Sequence, residues 1–222
     1  MDRETPLEGR ALPTRQDPRV TDNWIHDNTS AAGGGGIRFC YFYGTLPRPA
    51  CERNLITANR SADGAGVLCY EADSLVLDEC VIAWNEATGR GGGLLSHADT
   101  MTPAIFMRRC TLHRNLALEA GGLTPPGGGV YAADGRVELL SAIVSSNTGG
   151  GLVCDPGAPG AQIISDYCDA WNNDGIDYFA CGPGPHSFSG DPLFCEDVDS
   201  PDPPPPQDDP PWYCIFEISP CN

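Results

Sequence analysis

The chain has 222 residues, with 30 acidic against 13 basic side chains and a formal net charge of −17. Every basic residue is arginine, so lysine chemistry such as a Schiff base or a phosphate-binding P-loop is excluded, and the negative field disfavours nucleic acid and anionic membrane surfaces. With 27 glycines, 21 prolines and no apolar stretch approaching the roughly 18 residues of a membrane span, neither long helices nor a spanning segment is expected.

Residues 1–20 read as an irregular lead without the apolar stretch of a secretory signal. From residue 21 a repeat takes over. An apolar-x-x-Asn unit recurs as Ile25-x-x-Asn28, Ile56-x-x-Asn59, Ile82-x-x-Asn85, Leu112-x-x-Asn115, Val144-x-x-Asn147 and a degenerate Ala170-x-x-Asn173, at spacings of 31, 26, 30, 32 and 26 residues. After each asparagine comes a glycine followed by an apolar residue: Gly36-Ile37, Gly66-Val67, Gly93-Leu94, Gly129-Val130, Gly151-Leu152 and Gly175-Ile176. Between these anchors lie short runs with period-two alternation, such as GVLCY, SLVLD and CVIAW within residues 66–84. Short strands at constant spacing without crossover helices predict an all-β solenoid of about six stacked coils over residues 21–195. Residues 196–222 read as a C-terminal cap, interrupted at 199–212 by an acidic polyproline insert that is extended rather than part of a core.

In such a solenoid equivalent positions form columns. The predicted inward columns are Ile25, Ile56, Ile82, Leu112, Val144 and Ala170; the residues five before each ladder asparagine, Asn23, Asn54, Cys80, Cys110, Ala142 and Cys168; and the residues after the glycines. Asn28, Asn59, Asn85, Asn115, Asn147 and Asn173 are expected to stack as a structural ladder that satisfies backbone groups of neighbouring coils. Gly91-Gly92-Gly93, followed by an apolar residue and not by a helix, reads as a tight turn lying close to adjacent coils, not as a phosphate cradle.

Eleven cysteines in a Gly/Pro-rich chain point to an oxidising compartment, and an odd number leaves one thiol over. The columns predict cross-coil bridges Cys69–Cys80 and Cys154–Cys168 and local bridges Cys40–Cys51, Cys181–Cys195 and Cys214–Cys221, leaving Cys110 as a buried free thiol. The alternative is a set of reduced cysteines stacked as small hydrophobes. A zinc site is disfavoured, because there is no Cys-x-x-Cys pair.

Chemistry-bearing residues are few. Asp166, Asp169, Asp174 and Asp177 could together offer oxygen ligands to Ca²⁺, though no calcium signature is present and no other cofactor is implied. Arg108 and Arg109 read as the start of a strand that also carries Arg114, and either face a binding groove or lie on a solvated face. His26 and His113 share an outward column and read as surface histidines. Trp24, Trp84 and Trp171 lie near the ladder turn, where they either stack on a sugar or protein partner or pack under the turn loops.

The Asn-and-glycine repeat resembles the right-handed parallel β-helix of the pectin-lyase-like fold, and is most similar to the Gly-Gly-x-x and Phe-x-x-Asn repeats of polymorphic membrane proteins and related bacterial surface proteins. Those proteins continue into an outer-membrane barrel that has no counterpart in this repeat. Asp191-Pro-Leu-Phe194 and the later Ser219-Pro-Cys221 resemble the closing segment of secreted β-helix repeat proteins. The resemblance implies an extracellular or cell-surface module, non-enzymatic, acting in adhesion, in glycan or host-protein binding, or as a scaffold. Asn172-Asn-Asp-Gly-Ile-Asp177 is also similar to the Asn-Thr-Asp-Gly-x-Asp motif of polygalacturonases. That likeness implies the alternative, a polysaccharide lyase or glycoside hydrolase, with Asp174 as a catalytic carboxylate and Asp177 as a second. The rest of that family's pattern, an Asp-Asp pair at similar spacing, Gly-His-Gly and Arg-x-Lys, is missing.

Overall fold

A computed structural model describes residues 18–42, 48–99, 103–119 and 124–194. Cys195, Cys214, Cys221 and the predicted cap at 196–222 lie outside the described residues. The first coil holds β1 (Arg19–Thr21), β2 (Trp24–His26), β3 (Thr29–Ser30) and β4 (Ile37–Phe42). The second holds β5 (Ala50–Glu52), β6 (Leu55–Thr57), β7 (Arg60–Ser61) and β8 (Val67–Ala72). The third holds β9 (Ser74–Asp78), β10 (Val81–Ala83), β11 (Glu86–Ala87) and β12 (Leu94–His97). The fourth holds β13 (Ala104–Arg108), β14 (Thr111–His113), β15 (Leu116–Ala117) and β16 (Val130–Ala132). The fifth adds β17 (Arg136–Leu140), β18 (Ile143–Ser145) and β19 (Leu152–Cys154), and the sixth β20 (Gln162–Asp166), β21 (Asp169–Trp171) and β22 (Tyr178–Phe179).

Each strand pairs in parallel with its equivalents one coil away, so the chain winds four stacked sheets: β1-β5-β9-β13-β17-β20, β2-β6-β10-β14-β18-β21, β3-β7-β11-β15 and β4-β8-β12-β16-β19-β22. The register carries the repeat: Ile25, Ile56, Ile82, Leu112, Val144 and Ala170 stand opposite one another through the second sheet. This is a right-handed parallel β-helix solenoid.

The corners explain how strands of three residues can close a coil. At the bend from the first sheet to the second, Asp22, Arg53, Glu79, Arg109, Ser141 and Tyr167 all have φ near +55°, and at the next bend Asp27, Ala58, Trp84, Arg114, Ser146 and Asn172 do the same. One left-handed residue turns the chain sharply and aims the following side chain inward. At the first bend that side chain belongs to the Asn/Cys column. At the second it is the ladder asparagine. Asn59, Asn85 and Asn115 are fully buried. The Asn85 backbone N–H and Nδ2 both donate to Asn115 Oδ1 at 3.1 and 2.9 Å, while Nδ2 also donates to the Ile56 carbonyl at 2.9 Å. The same bonds repeat from Asn28 to Asn173.

The interior is filled by alternate apolar side chains of the strands, two each from β9, β13 and β17: Leu75 and Leu77, Ile105 and Met107, Val137 and Leu139. A second, smaller cluster, Leu68, Leu95, Tyr131 and Val153, lies on the opposite face of the fourth sheet and is nevertheless buried. The glycine turns fold back over it. Gly91 takes φ +67° with Leu95 Cβ 2.7 Å from where its own Cβ would stand, and a Cβ on Gly93 would meet the Gly129 carbonyl at 2.5 Å. These glycines therefore serve close approach of backbone to backbone between coils.

Candidate functional site

The carboxylates that the sequence offered for catalysis sit at the C-terminal end of the ladder. The Asn173 backbone N–H and Nδ2 would need the Oδ1 of a seventh asparagine; instead they donate to Asp177 Oδ1 at 3.1 and 2.8 Å. Asp177 thus ends the ladder by supplying the same acceptor from four residues along the chain. Its other oxygen is 3.4 Å from Ser189 Oγ. Asp174 stands at a left-handed position with φ +49°, exposed, its Oδ2 accepting from the Gly149 N–H at 3.4 Å. The two side chains therefore have separate structural partners.

The proposed calcium cluster does not assemble: among the described residues no three His, Cys, Asp or Glu side chains are arranged to hold a metal ion. Asp166 points to the return segment, where His186 Nδ1 lies 3.0 Å from Oδ1 and the His186 ring stacks on Tyr167 at 4.5 Å. Asp169 is buried and accepts from the Gly190 N–H at 3.0 Å. Burial pushes its carboxyl above the ordinary range, with the nearby charges of Asp177 and Asp191 adding to the effect.

Arg108 and Arg109 are exposed but engaged. Asp78, one coil below, takes Arg108 through Oδ2 at 3.1 Å and Arg109 through Oδ1 at 2.7 Å, and Arg109 Nε donates to Glu79 Oε1 at 3.0 Å. Arg53 makes a two-pronged pair with Asp22 at 2.7 Å in the same way. The arginines of this corner are thus rungs of an inter-coil ion-pair column.

The aromatic candidates pack along the second sheet. Trp24 stacks on His26 at 3.7 Å and donates Nε1–H to Thr57 Oγ1 at 3.1 Å. Trp84, at a left-handed corner, meets the His113 ring edge-on at 5.9 Å. Trp171 closes the column that runs from His26 through Thr57, Ala83, His113 and Ser145, and is half-buried. His113 corrects the surface reading: it is only 6 % exposed, its Nδ1 lies 2.9 Å from Ser145 Oγ, and Phe194 covers it at 4.9 Å. Outward in its strand, it is covered because the chain returns over it after the last coil. That return bonds to the last coil, with Phe188 N–H donating to the Cys168 carbonyl and its own carbonyl accepting from Ala170 N–H.

The described cysteines are all unbridged thiols, so Cys69–Cys80, Cys154–Cys168 and Cys40–Cys51 are not joined. The thiols that meet are different ones. Cys80 Sγ lies 3.8 Å from Cys51 Sγ, Cys110 stands one coil from Cys80 in the same column, and Cys181 packs against the core cluster that holds Cys154. Cys40 alternates with the buried Phe39 and so points away from the interior that holds Cys51. Among the described residues Cys69 meets no thiol, and burial raises it to about 12. Cys80 and Cys110 take over the work of Asn54 in their column. Asn54 Nδ2 donates to the Val20 carbonyl at 2.7 Å, and the thiols donate to the register-equivalent Cys51 and Leu77 carbonyls at 3.3 and 3.6 Å.

A surface feature that no motif announced lies at the C-terminal end. Leu140, Ile164, Tyr167, Phe188 and Leu193 are large, apolar and exposed, with Phe188 at 61 % and Leu193 at 66 %. They fall on the last two coils and the return segment. Together with Trp171 and the Tyr167–His186 stack they give this end an apolar, aromatic character on an otherwise acidic molecule. Alternation could have flagged Leu140 and Ile164, since each stands at an outward position of a strand.

Fold and site together define a β-helix solenoid with a closed C-terminal end. Compared with protein-family models, curated proteins and solved structures, the chain finds no match. Among the described residues no helix is long and apolar enough to cross a membrane.

Proposed function

We propose that this protein is a non-enzymatic, extracellular or cell-surface β-helix module that binds a glycan or a protein partner through its C-terminal end. The observation that carries this reading is the concentration of exposed apolar and aromatic side chains on the last two coils and the return segment. Exposed apolar side chains concentrated at one end of a fold are characteristic of interaction sites. Asp177, one of the two carboxylates whose motif suggested catalysis, ends the asparagine ladder, and the binding candidates Arg108 and Arg109 close inter-coil ion pairs. The exported location rests on the resemblance of the repeat to those of bacterial surface proteins.

The test is a screen of the full chain against polygalacturonate, alginate and hyaluronan, with and without Ca²⁺, read for both binding and turnover. The expected result is retention without turnover, lost in the double variant Tyr167→Ser with Phe188→Ser. Binding to an immobilised partner protein that the same variant abolishes supports the reading equally. Turnover that Asp174→Asn abolishes would overturn it in favour of a polysaccharide-cleaving enzyme.

A further inference from the structure

We propose that Cys154 and Cys181 are a redox-active dithiol that closes to a disulfide between the fifth and sixth coils in the presence of a low-molecular-weight disulfide. Cys154 ends β19 with its side chain in the core, and the pairing of Leu152 with Tyr178 and Val153 with Phe179 sets Cys181 in the next coil, packed against the core cluster that contains Cys154. Cys181 Sγ lies 3.3 Å from the carbonyl of Leu152, two residues before Cys154 in the same strand.

Two properties separate this pair from the other close thiols. First, it is reachable: Cys181 is half-buried just after the last strand, whereas Cys51, Cys80 and Cys110 are sealed in the core. Second, the thiols of the Cys80 column already donate to backbone carbonyls in place of an asparagine, so their presence is explained by the ladder.

The reaction balances with glutathione disulfide as oxidant. The Cys181 thiolate attacks one sulfur of the reagent, the reagent's S–S bond breaks, and one glutathione thiolate leaves. The Cys154 thiolate then attacks the Cys181 sulfur of the mixed disulfide and displaces the second glutathione. The two cysteine protons end on the two glutathiones, so two protein thiols are oxidised while one reagent disulfide is reduced to two thiols. The product ties β22, an edge strand of only Tyr178–Phe179, to the body of the solenoid, and with it the start of the return segment.

The chain lends itself to a direct test. Cleavage before aspartate releases residues 134–154, with Cys154 as the sole cysteine, and residues 177–190, with Cys181 as the sole cysteine. The full-length reduced protein is incubated with glutathione disulfide, its remaining thiols are alkylated in denaturant, and the digest is read by mass spectrometry. The expected product is 134–154 joined to 177–190, lost on reduction. Cys154→Ser should instead leave a glutathione adduct on Cys181. Joining of either peptide to 166–168, which carries Cys168, or to a peptide containing Cys195, overturns the proposal. So does a persistent glutathione adduct on Cys181, or full alkylation of both cysteines, in the unsubstituted protein, and neither outcome depends on a variant folding.

Discussion

Ala58 and Gly91 show how finely single residues are fitted to the coil. Ala58 occupies a left-handed corner at φ +54°, where a side chain is strained, and glycine relieves that strain at a smaller entropic cost. Ala58→Gly is expected to stabilise by about 0.5–1 kcal/mol in urea unfolding. Gly91→Ala has the opposite sign, because at φ +67° its new methyl group meets the Leu94 carbonyl at 2.7 Å. Asp169 is the residue where pH enters. Its folded-state carboxyl titrates above the unfolded value because burial disfavours the charge, so the ionised form weakens the fold. Stability from this site is fully present below the unfolded carboxyl pKa and is lost as pH rises through the folded one. Asp169→Asn, which keeps an oxygen for the Gly190 N–H, should therefore stabilise at pH 7, with the gain disappearing in unfolding curves at acid pH below the unfolded value.

At the scale of elements, the asparagine ladder holds the second corner of every coil together. Asn115 accepts two bonds from Asn85 and donates to the Ile82 carbonyl and Asn147 Oδ1. Asn115→Ala leaves buried backbone groups without partners and should cost about 2–4 kcal/mol by denaturant unfolding. The terminal rung permits a finer comparison. Asp177→Asn preserves the acceptor that Asn173 needs and is expected to be near neutral, whereas Asp177→Ala removes it and should cost about 1–2 kcal/mol. Catalysis by Asp177 would show the reverse priority, with both substitutions abolishing any turnover.

For the whole molecule, stability in a solenoid is a sum over neighbouring coils, so a coil flanked on both sides is held more firmly than one at an end. Val81–Ala83 and Thr111–His113 are buried between coils above and below, while Trp24–His26 and Tyr178–Phe179 belong to edge strands with partly exposed side chains. Hydrogen exchange followed by mass spectrometry should find the slowest amides in β10 and β14 and the fastest in β2 and β22. Equal protection along the axis would show that the solenoid opens only as one unit.

The period of the molecule was legible from the chain alone. Ile82 and Asn85 recur at coil spacing in their equivalents, and any fold that buries one apolar column and pairs one amide column must stack those positions. The identities of the inward columns and the structural use of Gly91–Gly93 follow from the same regularity. What only the tertiary structure decided concerns contacts along the axis and at the ends. Cys80 meets Cys51 and Cys110 rather than Cys69, because axial stacking sets coils closer together than the opposite walls of one coil. Asp177 replaces an asparagine because the chain bends back on itself after Gly175. His113 is buried because Phe194 returns over it, and that return breaks the repeat. A periodic sequence specifies which residues share a column; which neighbours they touch where the period stops depends on the path of the chain through space.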